Sequence, residues 1–178
     1  MSEVMKDEQD PGFALTPEQQ ALLERLSNTA TCGEALRWLS VVIDGDLDPQ
    51  RLQTAFDTVL TQQPMLLARL DKVSGFHGLR QAAADVGRFP LTIHAGEQCA
   101  EDVQAQISES RERAFVVGES ASVQAVLYRL ASQQWQLLLG IARYSADAPS
   151  LNLVLEQVQQ AYAGVQPGED EESGEFAL

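Results

Sequence analysis

The sequence predicts an α+β domain in which a mixed β-sheet is flanked by helices. Three observations point there. Apolar stripes at helical spacing alternate with short β-branched runs, in the order helix, strand, helix, three strands, helix, two strands, helix. Proline or glycine punctuates nearly every junction between them. The 178 residues, 44% of them hydrophobic, suffice for one cored domain and are too few for two generous ones.

The first helix opens at Thr16-Pro17-Glu18-Gln19. A hydroxyl cap, a proline at the first helical position and a glutamine at the third make a capping box. Leu22, Leu23 and Leu26 stripe this helix, and a polar loop runs from Ser27 to Gly33. Ala35 to Ile43 is apolar on both parities and rich in β-branched and aromatic residues, the pattern of a strand buried on both faces. Asp44-Gly45 stops it, and Asp48-Pro49 caps a second helix. There Leu52, Ala55, Phe56, Val59 and Leu60 share one face until Pro64 ends it. Strands follow at 66–73, 79–84 and 89–94, with Ser74-Gly75 and Gly87 as turns. Residues 99–114 predict a helix with a solvated outer face and a thin stripe of Val103, Ile107 and Ala114. Ser122–Ala131 and Trp135–Tyr144 form the strands of a hairpin joined by Ser132-Gln133-Gln134. Leu151, Val154, Leu155, Val158, Ala161 and Tyr162 stripe the last helix, which Gly164 terminates. Leu52, Phe56, Val59, Val126, Leu138 and Val154 should be buried around a single sheet. No internal repeat is present.

Charge is unevenly spread. The net charge is −14, of which residues 1–12 supply −3 and residues 166–178 supply −5. Polar composition predicts a disordered acidic start over 1–12 and an acidic linker or tail over 166–178, around a domain spanning 13–165. The twelve Lys and Arg residues form no basic stripe in the sequence, so nucleic-acid binding is not expected. No apolar run approaches the roughly 20 residues of a membrane span, so no membrane role is expected. The acidic N-terminus does not read as a secretory signal. Cys32 and Cys99 lie far apart without a CxxC motif. That argues against a disulfide framework or zinc site and predicts two semi-buried thiols in a cytosolic protein.

The residues advertise no enzyme. His77 lies in the Gly75-Phe76-His77-Gly78 turn and His94 ends a strand, neither beside a nucleophile or carboxylate. No phosphate-cradling glycine loop, nucleophile elbow or zinc-helix motif occurs. Asp44, Asp46 and Asp48 alternate like calcium ligands but lack the later ligands of such a loop, and Pro49 marks a helix start instead. No cofactor or metal is expected. The segment Tyr144 to Ser150 joins a strand end to a helix start, where polar groups often gather into sites. Asp147 or Ser150 could equally serve there as a helix cap.

Several motifs resemble the condensation domains of nonribosomal peptide synthetases, members of the chloramphenicol acetyltransferase-like superfamily. Residues 15–26 (LTPEQQALLERL) resemble the family's opening LTxxQ segment, and 41–60 its strand, G-x-L-D and helix signature. Residues 114–127 (AFVVGESASVQAVL) match the P-F-D-L-x-x-G-P pattern in outline, and the last helix ends in Gln160-Ala161-Tyr162 where the family has LY. The likeness spans residues 14–164 and only the first of the family's two lobes, so one lobe of that fold is implied. Every motif is eroded. The family's R-H-P-x-L-R is here Gln62-Gln63-Pro64-Met65-Leu66-Leu67. Its active-site HHxxxDG is here Ala142-Arg143-Tyr144-Ser145-Ala146-Asp147-Ala148, so only the Asp survives. The resemblance gives the second His the role of base or positioner for the attacking amine. Arg143 stands in its place, and a guanidinium stays protonated. The family Asp holds the motif through an Arg of the second lobe, which leaves Asp147 as a helix cap.

Three roles fit. The chain is a non-catalytic, truncated condensation-like scaffold or docking interface in a synthetase, half of an acyltransferase completed by a second lobe, or a free-standing α+β interaction module. The acidic segment GEDEESGEFAL also resembles the crossover into the second lobe. In the first role the partner is an adenylation or carrier domain, or a second copy, with phosphopantetheine only on the carrier. Half of a two-lobed fold leaves an apolar face bare. That face is expected around the Trp135–Tyr144 strand and the start of the last helix, with Tyr144, Ser145 and Leu151 as interface residues, of which Tyr144 and Leu151 should tolerate arginine without unfolding.

Overall fold

The computed structural model of the protein describes residues 12–26, 30–83 and 87–164. The expected disordered start and acidic tail, part of the Ser27–Gly33 loop and the end of the 79–84 strand lie outside the described residues. The elements are β1 (Phe13–Ala14), α1 (Pro17–Arg25), α2 (Cys32–Ala35), β2 (Leu36–Asp44) and α3 (Pro49–Gln62), then a 3-10 turn at Pro64–Leu67. After it come β3 (Arg69–Lys72), β4 (Leu79–Ala82), β5 (Leu91–Glu97), α4 (Ala100–Glu112), β6 (Val123–Ala131), β7 (Gln134–Ala142) and α5 (Ala148–Ala163).

Local chemistry fixes the helix ends as the sequence predicts. Thr16 and Gln19 close the capping box of α1. The Asp48 carboxylate accepts from the amides of Gln50 and Arg51 at the start of α3. That assigns Asp48 to a cap, while Asp44 accepts from the Gln134 amide. Gly164 adopts φ +86° at the end of α5, a left-handed cap that a side chain would resist. Cys99 is exposed rather than semi-buried, because it caps α4 by accepting from the Asp102 amide. Cys32 is buried. In α4, Val103 and Ile107 are buried as expected, but Ala114 lies beyond the helix and Ser110 takes the third buried position.

The main sheet runs β2-β7-β6-β5. β5 and β6 are parallel across α4, and the other neighbours are antiparallel, which makes the sheet mixed. A second sheet, β1-β4-β3, departs from the single-sheet expectation. Its strands of two to four residues are too short to carry an alternation of their own. The β6–β7 turn is also tighter than predicted. Ala131 pairs with Gln134, so only Ser132 and Gln133 connect the strands.

Helices α3 and α5 cover one face of the main sheet. Phe56, Val59, Val154 and Val158 pack there against Val123, Ala125 and Leu127 of β6 and Leu137, Leu139 and Ile141 of β7. Helix α4 covers the other face, with Val103 and Ile107 against Tyr128 and Leu138. The expected core residues are buried except Val126, which is half-buried at the edge of the α4 cluster. The doubly covered strand is β7, not the one predicted. β2 is an edge strand with Val42 53% exposed, so its apolar residues on both parities do not signal burial on both faces.

One close approach ties β2 to β7. The Trp38 indole donates to the Cys32 carbonyl at 3.0 Å and lies across Gly140, its cross-strand neighbour. A Cβ at Gly140 would come within 2.8 Å of the ring carbons. Glycine in the middle of this strand therefore makes room for an aromatic lid.

Candidate functional site

The junction of β7 and α5 carries the residues singled out from the sequence, and its conformation follows from short-range hydrogen bonds. The strand ends as the Ala142 amide donates to Ser122 O at 2.7 Å and the Arg143 amide to Ala35 O at 3.0 Å. The chain then turns, with the Ser145 and Ala146 amides donating back to Ala142 O at 2.9 and 3.2 Å. Asp147 stops the turn and starts the helix. Its carboxylate accepts from the Ser150 amide at 2.8 Å and the Ser150 hydroxyl at 2.6 Å. Proline at the second position of α5 suits a first turn that needs no internal donor.

The junction sorts its side chains into two environments. Ala142, Tyr144 and Leu151 are buried, Leu151 at 4% exposure in the α3/α5 core and Tyr144 at 6% against Leu15, Leu70 and Phe115. The expectation that Tyr144 and Leu151 form an accessible interface is therefore corrected. The turn points Tyr144 inward, and Leu151 starts the buried stripe of α5. Ser145 is half-buried, and its hydroxyl is a buried polar atom without a hydrogen-bond partner among the described residues. Arg143, Asp147 and Ala148 are exposed. The Arg143 guanidinium donates to the carbonyl of Glu34 at 3.3 Å and lines one pocket with Arg37 and Arg111.

The protonation states follow from these surroundings. Burial pushes the Tyr144 phenol up to about 12, against the weaker opposing effect of a hydrogen bond with Ser122. Hydrogen bonds from the Ser150 side chain and then its backbone hold the Asp147 carboxyl below its ordinary value, and the Arg37 charge adds to this. Around neutral pH, then, Tyr144 is a neutral phenol, Arg143 a cation and Asp147 a carboxylate engaged in capping. The lowered Asp147 pKa stabilises the fold above the unfolded-state carboxylate pKa, and that contribution disappears as pH falls through the lower folded-state value. Asp147→Ala is accordingly expected to lower the melting temperature by about 2–4 °C at neutral pH, with the difference shrinking in acid. Thermal scans at several pH values measure it.

Neither histidine joins the junction. His77 is exposed on its turn. His94 stacks on Tyr128 with ring centroids 5.2 Å apart and lines a separate pocket on the α4 side. Three other residues contribute in ways the sequence does not show. The Gln19 side-chain amide donates to Tyr144 O at 2.7 Å and to the Gln81 amide oxygen at 3.0 Å, so the opening LTPEQQ segment buttresses the junction directly. Arg37 and Arg111 come from β2 and α4. A motif can mark Gln19, but it does not name the carbonyl that Gln19 meets.

No family model matches the chain. Over 158 residues, 85% of this chain, it is 32% identical to D-lysergyl-peptide-synthetase subunit 2 of Epichloe festucae var. lolii. Over 122 residues, 68% of this chain, it is 28% identical to tyrocidine synthase 3 of Brevibacillus parabrevis. The matched regions are 10% and 2% of those proteins, so the chain spans a small part of each. Among solved structures it resembles the starter condensation domain of rhizomide synthetase RzmA, with a TM-score of 0.75 and 17% identity over 90% of this chain and 40% of that one. It also resembles the X-domain from teicoplanin biosynthesis, with a TM-score of 0.74 and 20% identity over 90% of this chain and 35% of that one. The X-domain is known in a complex with OxyB as well. The chain is condensation-domain-like, with the fold of one lobe of such a nonribosomal peptide synthetase domain.

Proposed function

We propose that the chain is a non-catalytic, condensation-like module of a cytosolic nonribosomal peptide synthetase and serves as a docking surface for a neighbouring domain. The observation that carries this reading is Arg143. By the resemblance it stands where the family has its second His, and it is exposed and hydrogen-bonded to the Glu34 carbonyl. A general base must accept a proton from the attacking amine, and a guanidinium does not. Tyr144 is held as a neutral phenol, and Asp147 is engaged in capping α5. Docking fits a packed fold whose junction residues are engaged in this way. The complex of the X-domain with OxyB supports the reading, since there a domain of similar fold engages another protein.

The outward-facing residues of the junction, Arg143, Ala148 and Asn152, form the docking surface in this reading, in place of the buried Tyr144 and Leu151. An adenylation domain is the first candidate partner, and a carrier domain the second. The test supplies donor and acceptor carrier proteins loaded with amino acids and follows dipeptidyl product by mass spectrometry. The expected outcome is no product, together with association with the adenylation domain in sedimentation. Ala148→Arg should weaken that association about tenfold without altering thermal unfolding, as expected at an interface hot spot. Turnover that disappears in Arg143→Ala would overturn the non-catalytic reading. A clean monomer that ignores every neighbouring domain would leave the free-standing module.

A second reading has one observation in its favour. The chain spans 35–40% of the solved condensation and X-domain chains it resembles. Half of an acyltransferase completed by another lobe would cover a similar share. Product formed only after adding such a lobe, and lost in Arg143→Ala, would select it.

A further inference from the structure

Folding gathers bases that the sequence scatters. Arg37 on β2, Arg111 in the last turn of α4 and Arg143 in the β7–α5 turn line one cavity of about 440 Å³, with Trp38 and Asn152 beside them. Among the described residues no acidic side chain lines it. In a chain of net charge −14, four other arginines do sit beside carboxylates: Arg69 with Asp71, Arg88 with Asp57, Arg113 with Glu109 and Arg129 with Glu97. None of the three cavity arginines makes an ion pair among the described residues.

Their donors are largely unspent. Arg143 gives one N–H to the Glu34 carbonyl at 3.3 Å. Arg111 lies over the Trp38 ring, 5.6 Å from its centroid, a contact that uses none of its N–H donors. The Arg37 Nε is buried without a hydrogen-bond partner among the described residues. Asp147 feels the Arg37 charge, but its Oδ1 is occupied by Ser150. Each guanidinium carries five N–H donors in a planar fork that matches a tetrahedral oxyanion. Three such charges around one cavity repel one another, and an anion bound among them relieves that repulsion. A single carboxylate offers one charge and two oxygens, whereas a phosphoryl group offers up to two charges and three oxygens.

We propose that the cavity formed by Arg37, Arg111 and Arg143 binds a phosphoryl group, either free phosphate or a small phosphate ester. The assignment does not depend on docking to a synthetase domain, because it concerns the free chain, whose cavity shares Arg143, Ala148 and Asn152 with the proposed docking surface. The test is a titration of the ¹⁵N-labelled full chain with inorganic phosphate and, in parallel, with glycerol phosphate, at constant ionic strength. Acetate is the single-charge comparison. The Trp38 indole N–H and the Gly33 and Asn152 amides should shift on saturation with at least one phosphate probe, and about tenfold more weakly or not at all with acetate. Whichever phosphate probe binds more tightly identifies the source. Arg111→Gln and Arg143→Gln should each weaken binding about tenfold while the amide spectrum stays folded, and Arg25→Gln, on α1 away from the cavity, should leave it unchanged. Three results would overturn the assignment: no shifts with either phosphate, equal shifts with acetate, or unchanged affinity in both cavity variants.

Discussion

Replacing Leu151 with arginine is expected to unfold the domain rather than loosen a contact on its surface. Leu151 is 4% exposed and belongs to the cluster that joins α3, α5 and the main sheet. Burying a guanidinium in that apolar cluster costs about 3–5 kcal/mol or more. In a domain of this size each kcal/mol lowers the melting temperature by about 2–4 °C, so a fall of about 10 °C or more is expected. Tyr144→Arg should behave alike, since Tyr144 fills the cluster around Leu15, Leu70 and Phe115. Circular dichroism melts decide the matter. An unchanged melting temperature in either variant would return that residue to the surface.

The second large effect is expected at Phe56. Its side chain is fully buried and stacks on Phe89, with ring centroids 4.4 Å apart and planes 16° from parallel. Helix α3 also holds the Phe89 backbone. The Asp57 carboxylate accepts from the Phe89 amide at 2.7 Å, and the Gln53 amide donates to the Phe89 carbonyl at 2.9 Å. Phe56→Ala would leave a cavity beneath this clamp and cost about 3–5 kcal/mol. The chemical-denaturation midpoint should fall with an unchanged slope, because the surface exposed on unfolding stays nearly the same. A change in slope would instead place the effect in the denatured state.

What the sequence makes legible depends on whether the deciding interaction is local. Helices α3 and α5 are read well because cap, proline and stripe all lie within one segment. β2 and β7 are read in the wrong order of burial, because alternation records side-chain polarity and not the number of strand neighbours. Val42 looks like core and is exposed at the sheet edge. Gln136 looks like surface, yet it lies in the central strand, where its amide donates to the Ser40 hydroxyl at 2.9 Å. At the junction, the cap role of Asp147 is legible because Ser150 is three residues away. The inward turn of Tyr144 is not, since it depends on a pocket built by distant residues. The three-arginine cavity is invisible in the linear sequence for the same reason: its members sit on three separate elements.

The bond from Gln19 to the Tyr144 carbonyl spans 125 positions of chain. During synthesis, α1 therefore emerges long before the turn that receives it. The helix has nine residues, none of them fully buried, and a helix that short is marginal in water on its own. It must wait, poorly formed, until β7 has been made and has found its place in the sheet. The first of the described helices thus gains this long-range contact only once β7 is in place. Any lesion that delays its docking leaves the Arg143 turn without its buttress, however sound the rest of the sheet.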